Sequence, residues 1–228
     1  MRFSQILSVL VATAIANAPV HPTTVAPPTL ITLKSDNHVA LTGEISRTLI
    51  DKAILTLNRI HSRHIYVYID SIGGFVDEGE RFIAQMQYRQ ATNTTFTCVA
   101  QMAHSMAFYI MQRCDKRLVT QGANMMQHQI SVVNTGQLRN LESHLGMIRR
   151  KANRIYQACA DRIGIPLKTF IHRTTSDWWL YGEEIVQQNV ADGLAIVGCS
   201  PELQEVLVGL SNKVIYTNRC PLVYTPML

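Results

Sequence analysis

The chain has 228 residues, of which 47% are hydrophobic and 16% charged. That is enough for one domain with a buried core, and too apolar for intrinsic disorder. The formal net charge is +5, and the one positive cluster, Arg149-Arg150-Lys151, reads as a solvated helix face. With no basic stripe on a recognisable module, nucleic-acid binding is not expected.

Residues 1–18 stand apart. Arg2 gives a positive start, residues 6–15 (ILSVLVATAI) are apolar, and small-x-small triplets end at Ala16 and Ala18. This matches a secretory signal, and the run is too short to span a bilayer. Cleavage would make the protein periplasmic or secreted. Retention of the segment would leave it cytoplasmic or membrane-tethered. Residues 19–29 are rich in Pro and Thr and read as a linker. The folded domain is expected over 30–199, with a weakly patterned extension over 200–228.

Strands are expected at 30–34 and 38–41, followed by a helix capped by Ser46 and running to about 60. Residues 65–70 (IYVYID) make a strong strand that ends in Ser71-Ile72-Gly73-Gly74. A helix over 76–89, a strand over 95–99 and a helix from Ser105 to about 112 come next. Short strands follow near 117–119 and 124–127. In the segment 137–163, apolar residues Leu138, Leu141, Leu145, Ile148, Ala152, Ile155 and Cys159 recur at steps of 3 and 4. They form one seam on a helix of roughly 40 Å. That is long for a domain of this size and favours a projecting element that packs on another subunit over a core stripe. Further helices are expected at 166–172 and 182–189, and a last strand at 194–197. The alternation implies a mainly parallel sheet with helices on its faces.

The five cysteines show neither CxxC nor zinc spacing, and an odd number cannot all pair within one chain. Most read as buried small apolar residues, with a Cys199–Cys220 bridge left open. No metal or cofactor is expected, since there is no phosphate-binding loop either.

Four features could carry chemistry. Gly73-Gly74 follows a strand, where glycine can aim N–H groups into a site, although the pair by itself means only a turn. Ser105 sits at a helix N-terminus, whose free N–H groups suit an oxyanion; by itself it reads as a helix cap. His128 could relay a serine proton, but it is one of eight histidines. Asp177 could orient an imidazole, or serve as a cap or turn residue.

Spacing does not link the four, but a resemblance does. Residues 66–74 (YVYIDSIGG) resemble the "YIYINSPGG" of the ClpP family, the proteolytic subunit of the Clp protease. Ser105-Met106 falls on that family's "ASM" motif, and residues 126–129 (MQHQ) are similar to "MIHQP". Asp177, with residues 182–184 and 191–194, resembles "RDxxxSAEEAxxYGLID", and residues 41–45 (LTGEI) match "FLxGEI". The order is the family's own.

The resemblance implies an α/β, ClpP/crotonase-like fold of repeated ββα units with a long handle helix. It implies a serine endopeptidase with Ser105 as nucleophile, His128 as base and Asp177 as its orienter. Gly74 and Met106 would supply the oxyanion-hole N–H groups. It further implies a homo-oligomeric ring built through the 137–163 handle, enclosing the sites, and a Clp-type ATPase partner, which an exported chain would not meet. Ile72, Gln101, Met102, His104, Ile130 and Ser176 depart from the family pattern. Trp178-Trp179 and the tail have no counterpart in it. Two rival readings remain: a Ser-Lys protease of the signal peptide peptidase type with Lys151 as base, and a catalytically altered crotonase-fold protein.

Overall fold

The computed structural model describes residues 25–204, 206–208, 214–216 and 219–223. The signal-like segment and most of the linker lie outside the described residues.

The elements run β1 (Thr29–Leu33), β2 (His38–Ile45), α1 (Arg47–Arg59), β3 (His64–Gly74), α2 (Val76–Ala91), β4 (Thr95–His104), α3 (Met106–Gln112) and β5 (Lys116–Gln127). They continue with α4 (Leu138–Ile163), α5 (Leu167–Arg173), β6 (Trp178–Tyr181), α6 (Glu183–Gln187) and β7 (Gly193–Cys199). A 3-10 turn (Pro201–Gln204) and a small hairpin, β8 (Val206–Val208) with β9 (Val214–Tyr216), follow. The helix α1 starts as expected: Ser46 Oγ accepts the Leu49 N–H at 3.4 Å, and Ile50, Ala53 and Leu57 turn one face into the core.

Six strands form a parallel array in the order β1-β7-β5-β4-β3-β2, and β6 joins β5 antiparallel. Alternation along β3 divides the interior. Val67 and Ile69 face the main core under the helices, while Tyr68 faces a smaller cluster on the other side. That second cluster, with Leu33, Val99 and Leu118, is covered by Leu203 and Cys220 of the C-terminal extension. The expected repeated strand–helix units and long helix are therefore present.

Four differences from expectation have physical causes. The strands near 117–119 and 124–127 are one strand, β5, because pairing with β4 continues past a register shift. The strand β6 has no counterpart among the expected elements: Trp178–Tyr181 are strand-forming residues, but a run of four is defined only by its pairing with the distant β5. Cys98 and Cys114 are not separate apolar fillers but form a buried disulfide, and Cys199 bridges Cys220, leaving Cys159 as the buried free thiol among the described residues. Finally, the α4 seam is divided. Ala152, Ile155 and Cys159 are buried in the core, whereas Leu138 and Leu145 are exposed at 72% and 38%. The projecting element is thus the first half of the helix.

One ion pair anchors the parallel array from within. Arg117 on β5 is 1% exposed, and its guanidinium donates to Asp192 at 2.5 and 3.1 Å and to Gln112 at 2.7 Å. Burial pushes the Asp192 carboxyl up, but the hydrogen bonds and charge of Arg117, helped by Arg162, together hold it below the usual carboxylate range.

Candidate active site

Strand register brings the candidate residues together. The strands β4 and β5 run parallel with His104 opposite Met126, so the residues just past them, Ser105 and His128, share one end of the sheet. The Ser105 N–H donates to the Met126 carbonyl at 2.8 Å. The strand β6 runs the other way, with Trp178 opposite Gln127, so the residue before it, Asp177, arrives at the same end.

Ser105 does not begin the helix as expected. It is the turn between β4 and α3, with φ 51° and ψ −116°, in the left-handed region that a non-glycine residue adopts only at a cost of about 1–3 kcal/mol. Its side chain makes no capping hydrogen bond to the helix. Instead its Oγ lies 2.7 Å from His128 Nε2. The other imidazole nitrogen, Nδ1, is 4.0 Å from Asp177 Oδ1, and the Asp177 side chain is 55% exposed.

The glycines explain how the turn is accommodated. Gly73 has φ +88°, and a Cβ there would stand 2.6 Å from the His104 carbonyl and 2.7 Å from Ser105 Cβ. Gly74 has φ +148°, and a Cβ there would stand 2.6 Å from the Ile45 carbonyl. The end of β3 thus lies against the Ser105 turn at a distance only glycine permits. The Gly73 N–H donates to Ser71 Oγ at 3.1 Å.

A cavity of about 290 Å³ opens beside Ser105 and His128, bounded by Ile72, Gly74, Val76, Met106, Tyr109 and Ile130. A second of about 250 Å³ shares Val76, Ile130 and Ser131 with it and extends along α4 past His144 and Met147. The Tyr156 hydroxyl of α4 accepts the Ile130 N–H at 2.9 Å and so ties the handle helix to the segment after His128. Residue pattern gives no sign of this contact.

Geometry also fixes the roles of two neighbours. Lys151, the alternative base, is not paired with Ser105. Its ammonium forms ion pairs with Asp77 and, at 3.2 Å, with Glu80. The Asp77 hydrogen bond leads in raising its pKa, which keeps it protonated and unsuited to accept a proton. His104 is turned away from the cavity: its Nε2 is 2.5 Å from Asn124 Oδ1, and its ring meets Trp179 edge-on at 4.9 Å. Asp70 lies near it, and burial raises the Asp70 carboxyl pKa against the opposing pull of His104.

The arrangement can activate a hydroxyl. It provides a hydroxyl held in a tight turn, an imidazole in hydrogen-bond range, and a carboxylate on the imidazole's far side. All five candidate residues, Gly74, Ser105, Met106, His128 and Asp177, lie within residues 28–196, which are matched by the family model of the Clp protease.

Proposed function

This chain belongs to the Clp protease family and is a serine-type endopeptidase; we propose that Ser105 is its nucleophile, His128 its general base and Asp177 the residue that orients His128. In this reading Ser105 Oγ attacks the peptide carbonyl while His128 Nε2 takes its proton. The Gly74 and Met106 N–H groups receive the oxyanion; the neighbouring Gly73 N–H is already engaged by Ser71. Collapse of the tetrahedral adduct breaks the C–N bond, and His128 returns the proton to the leaving amine. Water then repeats the sequence on the acyl-enzyme, giving the acid and free Ser105.

The observation that carries the reading is the 2.7 Å contact between His128 Nε2 and a serine whose backbone strain takes its side chain out of a capping role. A fluorophosphonate probe tests it. Labelling should fall on Ser105, vanish in Ser105→Ala, drop steeply in His128→Ala and persist in Lys151→Ala. Labelling that depends on Lys151 and not on His128 would overturn the assignment.

The ring reading rests on the first half of α4, where Leu138 and Leu145 are exposed on a helix whose second half is in the core. Glutamate at Leu145 should shift the assembly to smaller species in light scattering. Export is supported by the two disulfides, which persist in oxidising compartments. There the enzyme acts on its substrates without a Clp-type ATPase. Sequencing the N-terminus of the mature protein decides this: a start after Ala16 or Ala18 supports export, and an intact Met1 opposes it.

A further inference from the structure

The pair Trp178-Trp179 has no place in the chemistry above, yet it directly follows Asp177. We propose that these two rings position Asp177 against His128 by bracketing the nucleophile turn from both faces of β6. The inference builds on the triad reading.

Asp177 has a weak hold of its own. Its side chain is 55% exposed and stands 4.0 Å from the imidazole. Where it sits depends on where β6 begins, and β6 is four residues long and, among the described residues, pairs with β5 alone. So short a strand, bonded on one edge, needs side-chain anchors to keep its place.

The two tryptophans supply them in opposite directions, because successive strand residues point to opposite faces. Trp178 packs against Phe108 of α3, with ring centres 6.2 Å apart. It also meets Phe170 of α5 edge-on at 6.1 Å, and the Arg173 guanidinium lies over it at 4.8 Å. Trp179, on the other face, meets the His104 ring at 4.9 Å. His104 immediately precedes Ser105 in the chain, and Phe108 lies on the helix that Ser105 leads into. Both rings therefore grip the strand–turn–helix that carries the nucleophile.

The packing also reaches the histidine side. Phe170 lies 5.9 Å from Tyr156, whose hydroxyl holds the Ile130 N–H just beyond His128. One aromatic chain thus connects the segments that carry Ser105, His128 and Asp177. A tryptophan that merely filled the core would stabilise the fold without any special relation to Asp177.

A crystallographic and kinetic comparison separates these roles. The variants are Trp178→Ala, Trp178→Phe, Trp179→Ala, Asp177→Asn and the double Trp178→Ala/Asp177→Asn. In Trp178→Ala the Asp177 carboxylate should move away from His128 Nδ1, and kcat for a fluorogenic peptide should fall roughly 10- to 100-fold with KM little changed. Trp178→Phe should restore most of the rate. Trp179→Ala should give a smaller loss of the same kind. The double variant should be no slower than Asp177→Asn, since the carboxylate through which Trp178 acts is already gone.

Losses that multiply in the double variant, or an Asp177 unmoved in Trp178→Ala, would overturn the proposal. Trp178→Leu, which keeps an apolar side chain, takes the place of the alanine variant if that does not fold. A wild-type protein that fails to label at Ser105 would defeat the triad reading. The Asp177–His128 separation in the variant crystals would still decide whether the bracket exists.

Discussion

Among the described residues, two serines stand immediately before α-helices, and they do different work. Ser46 has φ −112°, and its Oγ accepts the Leu49 N–H of α1. Ser105 has φ 51°, makes no such bond to α3, and turns its Oγ to His128 at 2.7 Å. The backbone conformation thus separates a serine that caps its helix from one whose hydroxyl is free to meet an imidazole. In the Ser105 conformation the turn lies against Gly73 of a neighbouring strand, too close for a Cβ at that position.

The contrast is sharpest in paired alanine variants. Ser105→Ala should lower peptide turnover at least about 1000-fold, with little change in Tm, because no cap is lost. Ser46→Ala should leave turnover near the wild-type level and cost about 1 kcal/mol in stability, measured by denaturant unfolding. Comparable activity losses in the two would erase the distinction.

A control remote from both serines shows what a purely structural break looks like. Asp192→Ala leaves the Arg117 guanidinium buried without its carboxylate, and about 3–5 kcal/mol of stability should be lost. The pH dependence has a definite sign. The folded-state pKa of Asp192 is depressed, so its contribution is complete above the unfolded value of about 3.9 and fades as pH falls through the folded one. The stability gap between wild type and Asp192→Ala should therefore narrow as the pH falls below about 4.

The glycine packed against the Ser105 turn can be compared with Gly43, which sits at a bulge within β2. Gly73→Ala should distort the turn and reduce fluorophosphonate labelling on the order of 100-fold, since its Cβ would press on the His104 carbonyl and the Ser105 Cβ. Gly43 has φ +89°, but a Cβ there would meet none of the described residues within 4 Å. Alanine there should cost about 1 kcal/mol and leave labelling intact.

The smallest effect is expected beside His104. Burial raises the Asp70 carboxyl pKa, so the native state binds that proton more tightly than the unfolded chain does. Stability is therefore lost as pH rises from about 3.9 through the folded value, and Asp70→Asn should gain slightly in Tm at neutral pH. That advantage should shrink on acidification; a variant less stable than wild type at pH 7 would mean that the contacts of the Asp70 carboxylate outweigh its burial.

Most of the architecture is legible in the chain. Apolar periodicity locates α1, α2 and α4, and β-branched and aromatic runs locate β3 and β4, because burial on one face or on both writes its period into local sequence. Gly74, Ser105, Met106, His128 and Asp177 are linked only by the resemblance to the Clp protease family, not by their spacing. The pairing of Cys98 with Cys114 and the strand at Trp178–Tyr181 are not legible, since each depends on a neighbour supplied by another element.

The same division runs through the site. Residue types and their order determined which groups are available: a hydroxyl, an imidazole, a carboxylate and two glycines. Only the tertiary structure decided their relation. The register of β4, β5 and β6 sets the three chain positions at one sheet end, and the φ of Ser105 aims its hydroxyl away from the helix. Strand register and backbone strain are settled by contacts between segments distant in sequence, so they cannot be encoded in any one of the motifs.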